Sequence, residues 1–213
     1  MSPKTDSALK IAEFLLQIKA VKLEPAKPFT WASGWKSPIY CDNRKTLSYP
    51  KIRTFIRQEF VNVINDKFGK PDVIAGVATG GIAHAALVAQ EMGLPMIYVR
   101  SEAKSHGLTN LIEGVVEKGQ SVMVIEDLIS TGGSSLKVVN ALRDYGCDVK
   151  GMVSIFTYGF KVASDTFKKA KCDVESLCNY EILIQQAVKS GYVTDKDVAR
   201  LKAWRDNPGE WGK

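Results

Sequence analysis

The apolar residues of this chain follow two rhythms. Over residues 7–20, Leu9, Ile11, Phe14, Leu15 and Ile18 recur at helical spacing, with Asp6 or Ser7 placed to cap the first turn. Residues 48–68 predict a second helix, because Ile52, Phe55, Ile56, Phe60, Val63 and Ile64 share one face and Pro50 suits its first turn. Between the two, residues 25–42 carry Pro and Gly and read as loop with short strands. Beyond residue 72 the period changes. Short apolar runs at 72–78, 95–100, 121–127 and 149–159 predict strands, while 82–93 and 132–146 predict helices between them. Residues 101–120 are polar and weakly patterned, which predicts a long loop with room for a hairpin. Residues 160–206 predict mainly helix, with one further strand near "VESLCN".

Strands and helices alternating at this length predict an α/β fold whose sheet is parallel, connected by right-handed crossovers. With 213 residues, 45% of them hydrophobic, the chain can bury the core of one domain spanning 1–213, and neither repeat nor low-complexity linker divides it. No run of about 18 apolar residues predicts a membrane span. The amphipathic start lacks the unbroken apolar stretch of a secretory signal, so a cytoplasmic location is expected. Cys41, Cys147, Cys172 and Cys178 form no CxxC pair and read as reduced thiols rather than as a disulfide framework or zinc site. A net charge of +6 suits an anionic ligand and equally nucleic acid, so charge alone decides nothing.

The chemistry concentrates in "VMVIEDLISTGGSS" (122–135). An apolar strand leading through Gly132 and Gly133 into a helix offers free backbone N–H groups and a positive helix end. Ser130, Thr131, Ser134 and Ser135 add hydroxyl donors. This cradle lacks the lysine of a P-loop, and GxGxxG is absent, which removes the main support for nucleotide hydrolysis or dinucleotide binding. Glu126 and Asp127, just before an anion site, make sense if they face sugar hydroxyls, which are donors, or a divalent metal. The string therefore describes a sugar phosphate. The plainer reading is that both acids merely cap the helix or solvate a strand end.

This stretch resembles the phosphoribosyl pyrophosphate (PRPP) signature of the type I phosphoribosyltransferases. The resemblance implies their parallel-sheet fold with helices on both faces and a small N-terminal hood, mainly within 1–45. It implies that Glu126 and Asp127 contact the ribose and that Leu128, Ile129, Ser130, Thr131, Gly132, Gly133 and Ser134 hold the phosphate of PRPP. "GVATGG" (76–81) resembles the family's pyrophosphate loop, and His84 beyond it reads as packed. "RSEAKSHG" (100–107) is similar to the mobile loop of the orotate-using members, implying that Arg100, Lys104 and His106 grip pyrophosphate. Loop 101–112 would then reach a neighbouring subunit's site in a homodimer. "FTWASGWKSPIYCDNR" (29–44) resembles the hood of the same enzymes, where Ser33, Gly34, Lys36 and Ser37 offer polar contacts. Tyr40 offers an aromatic face, although Trp31, Trp35 and Tyr40 read equally well as packing. Lys36, Tyr40 and Ser130 are the residues assigned to orotate. Ala32 and Gly80 stand where some relatives have Lys, and no Arg follows the strand at 149–156.

The implied reaction transfers the 5-phosphoribosyl group from PRPP to orotate, giving orotidine 5-phosphate and pyrophosphate in pyrimidine (UMP) biosynthesis. Lys104, His106 and Asp127 would be catalytic. Mg²⁺ is implied, held mainly by substrate and water rather than by a protein metal site. Transfer to another base and a PRPP-sensing regulator are the alternatives. The loop cations, and an N-terminal stretch too short for a DNA-binding module, speak against the regulator, so no nucleic-acid or membrane partner is expected.

Overall fold

A computed structural model describes residues 3–31, 34–100 and 111–212. Helix α1 (Pro3–Gln17) begins earlier than its apolar period, since a proline is tolerated in a first turn, and ends before Lys19, whose φ of 53° turns the chain away. Helix α2 (Pro50–Val63) continues as a single π-helical turn (Ile64–Phe68), which together match the predicted 48–68. Between them lie four short strands, β1 (Val21–Leu23), β2 (Phe29–Thr30), β3 (Lys36–Ser37) and β4 (Ile39–Cys41), and a 3-10 segment, Asn43–Ser48.

The strand–helix alternation then appears as β5 (Val73–Val77), α3 (Gly80–Met92), β6 (Met96–Val99), β7 (Ile112–Glu113), β8 (Ser121–Ile129), α4 (Gly133–Tyr145), β9 (Asp148–Thr157), α5 (Lys161–Lys169), β10 (Val174–Asn179), α6 (Tyr180–Lys189) and α7 (Asp195–Asp206). The main sheet has the order β10-β9-β8-β5-β6-β7. All its pairings are parallel except β6 with β7, an antiparallel edge at the end of the polar loop. β8 runs two residues past its predicted end because β9 lies alongside, pairing Leu128 with Phe156 and Ile129 with Thr157.

Period-two alternation sorts the core into two layers. Ile74, Met123 and Ile125 face Ile56, Phe60 and Val88 of α2 and α3. Val73, Val122 and Val124 face Val138, Leu142 and Phe167 of α4 and α5. Helices thus cover both faces of the sheet.

The small strands form two antiparallel pairs, β1 with β4 and β2 with β3, beside the sheet. Helix α7 ties them down. Its fully buried Trp204 donates Nε1–H to the Lys36 carbonyl at 3.2 Å. The ring packs 5.6 Å from those of Trp31, Tyr158 and Tyr180 and 5.4 Å from Phe160. Truncating a ring buried to this degree typically costs about 3–5 kcal/mol. Trp31 is therefore a packing residue, and the C-terminal segment joins the hood to the end of β9. All four cysteines are free. No helix of the described residues is long and apolar enough to cross a membrane.

Candidate active site

The site forms where β8 and β5 end and the hood leans over them. After β8 the chain turns through Ser130 and Thr131 to Gly132, whose φ of 81° is the left-handed conformation that glycine adopts without a Cβ penalty. α4 starts there, with Leu136 N–H donating to the Gly132 carbonyl at 2.9 Å. The N–H groups ahead of Leu136 have no intrahelical acceptor and carry the positive end of the helix dipole. Thr131, Gly133 and Ser134 are exposed beside them. The arrangement is a set of donors waiting for an anion.

The two carboxylates part company. Strand alternation puts Val122, Val124 and Glu126 on the α4 side and Met123, Ile125 and Asp127 on the α3 side. Glu126 is only 5% exposed. One of its oxygens accepts from Ser135 Oγ at 2.7 Å, the other from Asp127 N–H at 2.9 Å. Burial, and then the neighbouring Asp127 charge, push its carboxyl up to about 8. Glu126 therefore fastens the end of β8 to the first turn of α4. Asp127 is partly exposed and faces a cleft of about 340 Å³. Both acids border that cleft, but the Glu126 oxygens are held by protein donors while Asp127 is the more open of the two. Extending the period-two pattern by two residues would have separated them; reading the strand as finished at the charged pair hid it.

The opposite wall is the turn after β5. The Ala78–Thr79 peptide is cis. α3 begins at Gly80, where an added Cβ would overlap the Asp127 carboxylate. That close approach accounts for glycine at this position.

The third wall comes from the hood. Asn43 is fully buried and donates Nδ2–H to the Asp127 carbonyl at 2.6 Å. Its own oxygens are occupied as well, the side-chain Oδ1 by Cys41 Sγ–H at 3.1 Å and the carbonyl by Thr46 Oγ1–H at 2.6 Å. Next to it, Arg44 donates Nε–H to Asp42 Oδ1 at 2.7 Å, and that bond holds the Asp42 carboxyl below its ordinary range. The resemblance placed residues 42–44 in the hood but gave none of them an individual role. No local pattern marks a contact that spans 84 positions.

The remaining residues singled out in the sequence lie as follows. Lys36 donates Nζ–H to Thr30 Oγ1 at 2.8 Å across the β2–β3 pair. Tyr40 is 42% exposed, its ring 5.7 Å from Phe29. Neither they nor Ser130 wall this cleft. Arg100 directly follows β6, with Nε 3.9 Å from Glu113 Oε1. Lys104 and His106 lie outside the described residues, as do Ala32, Ser33 and most of loop 101–112. His84 is buried, its Nε2 3.4 Å from Thr46 Oγ1 and its ring 6.2 Å from Phe60. Burial lowers its pKa to about 4, so it is a neutral packed residue, as its position on α3 suggested.

A larger hollow of about 460 Å³ beneath α5 contains neither paired carboxylate, so chemistry rather than size selects the cleft. Among the described residues no group of three or more His, Cys, Asp or Glu could cage a metal. The cleft can offer a metal hard oxygens from Asp127 and Asp42.

Residues 46–191 match the phosphoribosyl transferase domain family. The orotate phosphoribosyltransferase of Phocaeicola vulgatus is 60% identical over 200 residues, which are 94% of either chain. The structure of Leishmania donovani UMP synthase superposes with a TM-score of 0.79 at 30% identity, covering 93% of this chain and 42% of that one. Orotate phosphoribosyltransferase from Aeropyrum pernix superposes with a TM-score of 0.75 at 27% identity, covering 86% of this chain and 99% of that one.

Proposed function

Because this chain belongs to the phosphoribosyltransferases, and among them to the orotate phosphoribosyltransferases, we propose that it transfers the 5-phosphoribosyl group of PRPP to orotate. The products are orotidine 5-phosphate and pyrophosphate, a step of pyrimidine biosynthesis. The observation that carries the reading at the level of residues is the opposed pair of features around the turn 130–132. A partly exposed carboxylate, Asp127, lies on one side, and the unsatisfied first turn of α4 lies on the other.

In this reading Asp127 accepts hydrogen bonds from the ribose hydroxyls, and residues 128–134 hold the 5-phosphate at the end of α4. The C1–oxygen bond to pyrophosphate weakens first, so the ribose ring gains positive charge. Asp127 places a negative charge beside it without reorganisation. Glu126 supports the reaction from behind, keeping the Asp127 backbone and the start of α4 in register. Arg100, Lys104 and His106 supply cations to the departing pyrophosphate, with loop 101–112 closing over the site from a partner subunit and excluding water. The orotate nitrogen attacks the opposite face of the ribose, its ring held by Lys36, Tyr40 and Ser130. Mg²⁺ suits the donor set, with Asp127 offering one hard oxygen and substrate and water the rest; when bound it neutralises charge on the leaving group. The whole chain, 1–213, acts as one cytoplasmic catalytic domain, a reading supported by the Trp204 cluster that locks the hood to the sheet.

The test is loss of orotate absorbance by the purified protein with PRPP and Mg²⁺, against adenine, hypoxanthine and uracil. PRPP-dependent loss with orotate alone, abolished without Mg²⁺, is the expected result. Turnover of another base would keep the PRPP site and overturn the hood assignment. Binding of PRPP without any turnover would favour a PRPP sensor.

A further inference from the structure

In the hood segment Asp42–Asn43–Arg44, Asp42 and Arg44 line the cleft while Asn43 anchors the segment to β8. We propose that Arg44 is a diphosphate-binding residue, a cation carried by the hood that holds the pyrophosphate end of PRPP against the turn entering α3. The proposal rests on the reading that PRPP occupies this cleft.

The first observation is charge. Asp42 and Asp127 border the cleft as its accessible carboxylates, and Arg44 is the one cation among the described residues that does so. A diphosphate entering among carboxylates requires positive charge already in place. The second is an unspent binding capacity. Arg44 uses Nε for Asp42, and among the described residues neither Nη group has a hydrogen-bond partner. The side chain is 61% exposed, so its free edge is open to a ligand. A planar guanidinium with two free N–H₂ groups matches a pair of phosphate oxygens.

The third observation is that Arg44 is fixed in place relative to the reaction. Asn43, immediately before it, is buried and bonded to the Asp127 carbonyl at 2.6 Å. Asp42 holds the guanidinium from the other side. An exposed pair between residues two apart contributes little to stability, so packing alone leaves this arrangement unexplained.

The cleft also distinguishes diphosphate from the carboxylate of the base. Arg44 shares it with Val77–Gly80, where α3 presents its free N–H groups across a wall kept open by Gly80. Ser130, Lys36 and Tyr40, assigned to orotate, lie outside it.

The experiment titrates PRPP, and separately pyrophosphate, into wild-type protein, Arg44→Ala and Arg44→Lys by calorimetry. KM for PRPP and for orotate are measured in parallel. Arg44→Ala is expected to weaken PRPP and pyrophosphate by about tenfold or more, the range for loss of a charge-assisted hydrogen bond. KM for orotate should stay within about twofold, Arg44→Lys should recover part of the loss, and melting should not move, since the side chain is exposed. Unchanged PRPP affinity in Arg44→Ala would overturn the proposal. So would a raised KM for orotate alone, which would assign the arginine to the base carboxylate. If wild-type protein binds PRPP but leaves orotate untouched, the assignment of the base fails, and the titrations still decide the role of Arg44.

Discussion

Thr-Gly-Gly occurs twice in this chain, at 79–81 between β5 and α3 and at 131–133 between β8 and α4. Each copy joins a parallel strand to a helix whose N-terminus faces the site. The glycines answer different physical demands. In the first copy Gly80 is not at positive φ, and what excludes a side chain is the Asp127 carboxylate lying over it. In the second, Gly132 needs its left-handed φ, and a Cβ there would stand 2.7 Å from Phe167 Cε2. Gly133, one residue on, has nothing within 4 Å of where a Cβ would be. One turn is shaped by the Asp127 carboxylate across the cleft, the other by its own backbone and the helix beneath. The same three letters therefore answer to a side chain across the cleft in one place and to the local backbone in the other.

Substitutions can break this contrast. Gly80→Ala should have the largest effect, because it displaces the Asp127 carboxylate. We expect kcat/KM for PRPP to fall on the order of 100-fold, the penalty for misplacing a catalytic group by about 1 Å, with little change in melting temperature. Steady-state kinetics beside a thermal melt would check it, and retained activity would show that Asp127 tolerates the shift. Gly132→Ala should reverse the signature. Backbone strain and the overlap with Phe167 should cost about 2–3 kcal/mol in a denaturant titration.

A smaller effect distinguishes the carboxylates themselves. The Glu126 carboxyl is raised to about 8 in the folded protein from an ordinary value near 4.5. Its contribution to stability is fully present below the unfolded value and is lost as pH rises through the folded one. His84 acts oppositely: lowered to about 4 by burial, it contributes stability above its ordinary 6.5 and loses it as pH falls through 4. Between pH 6.5 and 8 only the Glu126 slope remains of the two, at most about 1.4 kcal/mol per pH unit. Glu126→Gln keeps an acceptor for the Asp127 N–H and turns its amide into a donor toward Ser135 Oγ, as a protonated carboxyl would be, and should flatten stability over that interval. Denaturant midpoints at both ends of it would test this, and an unchanged slope in the variant would place the titrating group elsewhere. The smallest effect belongs to Gly133→Ala, which should alter stability by no more than about 0.5 kcal/mol. Any loss of PRPP affinity in that variant would come from the ligand side of the turn.

Much of this was readable along the chain. Strand and helix order followed from the change of period near residue 72, and the polar stretch 101–120 did close on a short antiparallel strand, Ile112–Glu113. The segment "VESLCN" became the edge strand β10. Less readable were features at the ends of elements. β8 overran its charged pair because β9 continued beside it, and α1 began three residues before the first candidate cap, Asp6.

The sequence by itself determined the element order, the strand–Gly–helix cradle and the family, because hydrophobic period, turn chemistry and the signature residues are local and contiguous. Only the tertiary structure decided which carboxylate turns inward to Ser135 and which faces the cleft, and that Asn43 holds the Asp127 carbonyl. The placement of Trp204 as the tie between hood and sheet was likewise decided there. Each of these depends on burial and on hydrogen bonds between segments far apart in the chain, and such contacts exist only once the layers have packed.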